Sequence, residues 1–321
     1  MLKKTPFEPM RVPLMYKDLH RLGLESTLSY FPYIRQAGAI NPALMALANG
    51  KIVFEDFVKM VKERGHNISP VTDDGPFFYK FEVGTPKPVS VVFWSSVILL
   101  VIIILIPPLY WKREATHREV FFTKKRFLDK GVLRSVALFS MLGMGFMLIE
   151  IPLIQKFVLF LGYPALSLAV LLGSLLGGAG IGSLWSGRIG PDKIDREIAM
   201  TSFSIVVMIL FYAFLLPMVF DQLLGLDLVI RVLASILMLI PIGFLMGIPF
   251  PLGIRWLKES SLENHIPWMW AINGISAVLG SVMTIVVAIS FGFTEALLVS
   301  AGCYFVVLLL FINRKSMQDP E

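Results

Sequence analysis

Val89-Ser90-Val91-Val92-Phe93-Trp94-Ser95-Ser96-Val97-Ile98-Leu99-Leu100-Val101-Ile102-Ile103-Ile104-Leu105-Ile106-Pro107-Pro108-Leu109-Tyr110 contains no charged residue. A run of roughly 20 apolar residues is the length an α-helix needs to cross the hydrocarbon core of a bilayer. Six further runs of this kind follow, at Ser135–Leu161, Ala165–Trp185, Ile198–Phe220, Leu228–Phe250, Ile266–Phe291 and Ala296–Ile312. Composition agrees, with 56% hydrophobic and 16% charged residues over 321 positions, against roughly 25% charged in soluble domains. The mean hydropathy is +0.73. The chain therefore reads as an all-α integral membrane protein. Residues 1–87 form a small, mostly helical polar segment, 88–313 a bundle of about seven spans, and 314–321 a short polar tail.

Within the first segment, Val53, Phe57, Met60 and Val61 recur at helical spacing, with Lys62 and Arg64 in the last turn and Gly65 as a stop. That pattern predicts a short amphipathic helix. Further helices are expected near Tyr16–Leu24 and, opened by Asn41-Pro42, over Ala43–Ala48. No cleavable signal follows the basic start.

Positive charge sets the expected topology. Lys112, Arg113, Arg118, Lys124, Lys125, Arg126, Lys130 and Arg134 crowd the first connection, and Arg188, Lys193, Arg196, Arg255, Lys258, Arg314 and Lys315 mark later ones on the same side. The opposite connections are almost free of Lys and Arg, apart from Lys156 and Arg231 at helix ends. Basic connections stay in the cytoplasm, which places the C-terminus there and residues 1–87 outside. The same rule accounts for the net charge of +6 without nucleic acid as a partner; the expected partner is the lipid bilayer.

Several features inside the spans invite a role. Gly173/Gly177 and Gly178/Gly182 are two Gly-x-x-x-Gly pairs, repeated at Gly243/Gly247 and more weakly at Ser276/Gly280; absent side chains let helices approach closely. Glu150 is an ionisable group inside a span, which is costly unless it meets a cavity or partner. With Gln155 one turn on and Asn273 in the sixth span, it forms a candidate path for a solute; the plainer alternative puts Glu150 near the interface beside Lys156. Pro152 and the Pro249/Pro251 pair are expected to kink or end their helices. Trp256, Trp268 and Trp270 are expected as interfacial anchors, and His20, His66, His117 and His265 as surface residues. No histidine or cysteine spacing suits a metal, lone Cys303 fits a small buried residue, and no catalytic motif appears.

Ahead of the first span stands Pro70-Val71-Thr72-Asp73-Asp74-Gly75-Pro76-Phe77-Phe78-Tyr79. Asp before Gly-Pro is ordinary turn chemistry, and the aromatic residues after it suit a strand-like stretch. The run also resembles the junction in large bacterial membrane proteins that fuse a spermidine synthase-like, or polyamine aminopropyltransferase-like, domain to transmembrane helices; an arginine is usual there where this chain has Gly75. The likeness continues through Gly145–Lys156, Leu159–Pro164, the glycine-rich third span, Gly247–Gly253 and Trp270–Gly274, and the combination is more specific than any part.

The resemblance covers the membrane portion alone. The catalytic domain of such proteins binds an adenosyl nucleotide on a glycine-rich turn after a strand, and residues 1–87 have no such unit, so no cofactor is expected here. It implies a non-catalytic membrane module that anchors or partners an aminopropyltransferase-like domain. The chain is then either a split or truncated piece with its catalytic half encoded upstream, or a membrane-only relative. An adenosyl cofactor is cytosolic, in conflict with the outside placement of residues 1–87. The alternative function is a transporter or channel for a small cationic solute such as a polyamine.

Overall fold

The computed structural model describes residues 50–66, 72–75, 77, 84–114 and 130–312, together with Leu14, Lys17, Asp18, Arg21, Ala46 and Leu47; for 106–114 only the backbone is described. By internal contacts the chain divides into two units, Met1–Pro70 with Phe78–Val83, and Val71–Phe77 with Gly84–Glu321. The junction segment Val71–Phe77 thus groups with the membrane unit.

In the first unit, helix α1 spans Phe54–Glu63. Its apolar face is anchored by buried Phe57, acidic Glu55 and Asp56 lie in the first turn and Lys62 in the last, matching the helix dipole. Gly65 follows at φ 85°, a left-handed backbone that favours glycine. Leu14, Lys17, Asp18, Arg21, Ala46 and Leu47 are helical; the rest of the two earlier expected helices, and the expected strand-like stretch after Phe77, lie outside the described residues.

Among the described residues, the membrane unit is a bundle with seven helices long and apolar enough to span a bilayer. They are α2 (Lys87–Glu114), α3 (Lys130–Leu161), α4 (Pro164–Ser186), α5 (Ile194–Leu223), α6 (Leu228–Met246), α8 (Ile266–Ser290) and α9 (Phe293–Ile312), with a short helix α7 (Pro249–Glu259) between α6 and α8. No strand occurs among the described residues. Each expected span lies on one helix except the fifth, which the turn at Gly247-Ile248 divides between α6 and α7, and the sixth, which runs one residue past α8. Large apolar side chains such as Trp94, Phe214, Leu237 and Phe305 point outward, which suits lipid and not water.

The core forms around α3, which packs against α8, α9, α4, α6 and α7, while α5 lies on α9 and α4 on α6. Small residues set the closest approaches. A Cβ at Gly178 or Gly182 would run into the α6 backbone at Ile240–Phe244, and one at Gly243 or Gly247 into the α4 backbone at Leu175 and Ala179. These four glycines are therefore the packing seam that their spacing predicts. Gly173 and Gly177 differ: a Cβ there meets nothing, and both are exposed. Four residues separate each pair, but Gly173/Gly177 lies one position round the helix and faces away from α6. A second seam, less visible in sequence, joins α3 to α8, where Gly143 lies under Asn273 and Gly280 under Met144.

The Pro249/Pro251 pair follows the end of a helix, as expected, while Pro152 does not end one. Pro152 sits inside the unbroken α3. The helix of the fifth span holds Pro241 inside it and ends at Met246, ahead of the Pro249/Pro251 pair, and Pro249 opens α7 in the first turn, where its missing N–H would be unpaired anyway. Arg255 on α7 then donates to the carbonyls of Ser186 and Ile189 at 2.8 and 2.7 Å, closing the C-terminal end of α4.

Candidate functional site

Trp256 is 3% exposed, so it is no interfacial anchor. The Arg134 guanidinium lies over the Phe311 ring at 3.9 Å and the Trp256 ring at 5.1 Å and pairs with Asp195 at 3.3 Å. One cation thereby ties α3, α5, α7 and α9 at their basic end. Trp268 is buried too, and its indole N–H donates to the Ile103 carbonyl at 2.9 Å, fastening the peripheral α2; Trp270 alone of the three is exposed, at 59%. His265 is also buried, at 6% exposed, against the surface expectation, because the turn Glu263–His265 folds it beside Trp268. Exposed His66 fits; His20 and His117 lie outside the described residues. Cys303 is buried in α9.

The three residues of the expected path are not hydrogen-bonded to one another. Asn273 donates to the Phe139 carbonyl at 3.0 Å and not to Glu150, so it stitches α8 to α3. Glu150 and Gln155 are half-buried on α3, and no hydrogen bond joins any two of the three. Lys156 does not satisfy Glu150 either, because its ammonium is held elsewhere.

It is held by Asp74. Thr72–Gly75 makes the expected turn, with the Gly75 N–H donating to the Thr72 carbonyl at 3.0 Å and to its hydroxyl at 3.2 Å. The turn points the Asp74 carboxylate at the start of α9. There it accepts the Lys156 ammonium at 2.9 Å, the Thr294 hydroxyl at 2.5 Å and the Thr294 N–H at 3.0 Å. Lys156 donates to the Thr294 hydroxyl as well, at 2.8 Å. The Asp74 carbonyl accepts from Phe293 N–H at 2.9 Å, and the Phe77 and Phe293 rings lie 5.6 Å apart. Gly292, at φ 121°, leaves room: a side chain there would strike the Asp74 carboxylate. Burial by itself pushes the Asp74 carboxyl up, but hydrogen bonds from Lys156 and Thr294 and the nearby ammonium outweigh it and hold the group below its ordinary value.

Asp73 and Asp74 form one wall of a cleft of about 260 Å³. Lys156, Leu159 and Phe160 of α3 line it, Pro217, Phe220, Asp221 and Leu224 stand opposite, and Thr294 closes an end. Phe160 and Phe220 stack at 4.1 Å between centroids, and Arg231 donates to the Phe160 carbonyl at 2.8 Å, which caps the C-terminus of α3. Three carboxylates share the lining with one ammonium, so the cleft carries excess negative charge. Among the described residues no cluster of histidine, cysteine or carboxylates suits a metal ion.

Sequence reasoning singled out Asp73 and Asp74 for their turn and missed what Asp74 binds; Pro76 lies outside the described residues. A signal was present in Lys156, a cation on an otherwise Lys-poor side that needs a counter-charge, and in α9, whose start has glycine in place of a capping side chain. No family model, curated protein or solved structure matches the chain.

Proposed function

We propose that the chain is a multi-pass membrane module, non-catalytic by itself, that anchors or partners an aminopropyltransferase-like domain in the bacterial inner membrane with its C-terminus in the cytoplasm. The observation that carries this reading is the Asp74 contact. Two stretches of the family resemblance, the Asp73-Asp74 junction and the run ending at Lys156, meet there in one ion pair, as a fastening between a preceding domain and a membrane anchor requires. The basic connections support the orientation. Isothermal calorimetry of the purified chain with an adenosyl nucleotide should give no binding heat. Cross-linking in native membranes should capture a protein or upstream segment bearing a glycine-rich nucleotide-binding turn; binding by the chain alone, or no such captured domain, overturns the reading.

The cleft favours a second reading, a binding step for a small cationic solute such as a polyamine. Asp73 and Asp221 line it without the ammonium that neutralises Asp74, and the stacked Phe160 and Phe220 offer apolar surface to a hydrocarbon stem. Proteoliposomes should take up a labelled polyamine and lose uptake with Asp221→Asn. Unchanged uptake in that variant, or none in the parent protein, removes this reading.

A further inference from the structure

We infer that Thr72–Gly75, with Phe77, is a strap held shut by a single ionic latch, Asp74 on Lys156 and Thr294, and that its release opens the cleft. The attachments are few. Beyond its own turn bonds, the described part of the strap is held by the Asp74 carboxylate, the bond from Phe293 N–H to the Asp74 carbonyl and the Phe77–Phe293 ring contact. Two of these three go through one residue. Thr72 and Asp73, the first half of the turn, are exposed, so no apolar burial of these two holds the turn in place.

The latch also lies where closure matters. Asp73 and Asp74 supply one wall of the cleft while α3 and α5 supply the others, so movement of the strap changes the width of the cleft and leaves the bundle intact. Lys156 is 10% exposed with its ammonium on Asp74. Loss of the carboxylate leaves that ammonium without its counter-charge in a low-dielectric setting, which drives it toward water and separates the two walls. The arrangement favours two conditions, paired or open, because the mostly covered Lys156 ammonium is costly to leave in place without its counter-charge. The inference uses the cleft of the cationic-solute reading as its object, but the latch follows from the geometry alone.

Distances between spin labels test it on the full chain in nanodiscs. Labels at Thr72→Cys, on the strap, and Gly225→Cys, where a side chain meets open space, report the strap against the α5–α6 connection. The parent protein should show one narrow distance population, while Asp74→Asn and, independently, Lys156→Met should each add a longer one. Asp74→Glu, which keeps the charge, should retain mostly the narrow population. Distributions unchanged by both disrupting variants, in protein that still elutes as one species, overturn the latch whatever becomes of solute uptake. A variant that does not fold is replaced by Thr294→Val, which removes one donor and should show the longer population in smaller proportion; no added population there also counts against the strap.

Discussion

The carboxylate of Asp74 caps the first turn of α9 by accepting the Thr294 backbone N–H at 3.0 Å, from 220 residues away in sequence. A helix normally takes its N-terminal cap from the preceding residue, but here that residue is Gly292, whose lack of a side chain makes space for the distant carboxylate. The junction segment's carboxylate therefore serves as the cap of the last helix. Its ammonium partner, Lys156, brings in the end of α3.

Replacing Asp74 by Ala removes a cap and orphans Lys156 together. A lost cap costs about 1 kcal/mol and an exposed ion pair about 0–1 kcal/mol; Asp74 is 35% exposed and Lys156 10%, so a combined destabilisation of about 1–3 kcal/mol is expected. Thermal melts in detergent of Asp74→Ala, Lys156→Ala and the double variant check it. The two effects should fall short of additivity, by about 0.5 kcal/mol or more. Full additivity would mean the two groups do not interact.

The same pair dictates an acid response. Asp74 is held below its ordinary carboxyl value, so the folded protein resists protonating it more than the unfolded chain does. The stabilisation is complete above the ordinary value, roughly pH 4, and is lost as the pH falls below that toward the depressed folded value. Melting temperatures measured downward from pH 6 should therefore drop less steeply below pH 4 in Asp74→Asn than in the parent protein. Equal slopes would contradict the shift.

Glycine substitutions should separate two stripes on one helix. Gly182→Leu must force α4 from α6, at an overpacking cost of about 1–3 kcal/mol or more, whereas Gly173→Leu places a side chain in open space and should leave the melt within about 0.5 kcal/mol. Size-exclusion elution and melting of the two variants decide it. Equal sensitivity at both positions would show that Gly173 has a partner of its own.

Legibility followed the range of the interactions. Each span was visible because hydrocarbon imposes length and apolarity on every helix separately, and the Gly178/Gly182 and Gly243/Gly247 seams because close packing needs missing side chains at helical spacing. Which of two adjacent glycine pairs faces inward depends on how the helix is rotated, a tertiary choice absent from the spacing. Trp256 and Trp268 looked interfacial because they flank a connection, and His265 looked like a surface residue within it, yet all three are buried where α7 and the turn Glu263–His265 pack on the bundle. The Asp74 site was least legible of all: its three residues stand on segments that only folding brings together.

Glu150 yields the last expectation. It is half-buried on α3 and, among the described residues, has no hydrogen-bond or ion-pair partner, Asn273 being engaged with Phe139 and Lys156 with Asp74. An unpaired acid within a membrane span costs free energy, about 2.5–3.5 kcal/mol at a helix centre by membrane-insertion measures, so a group kept for structure alone would have a partner. Glu150→Gln should accordingly leave the melt unchanged or raise it by up to about 1 kcal/mol, while lowering polyamine uptake if the solute passes along α3. A destabilised variant would reveal a structural partner for the carboxyl; an unchanged melt with unchanged uptake would confine the solute's contacts to the cleft at Asp73 and Asp221.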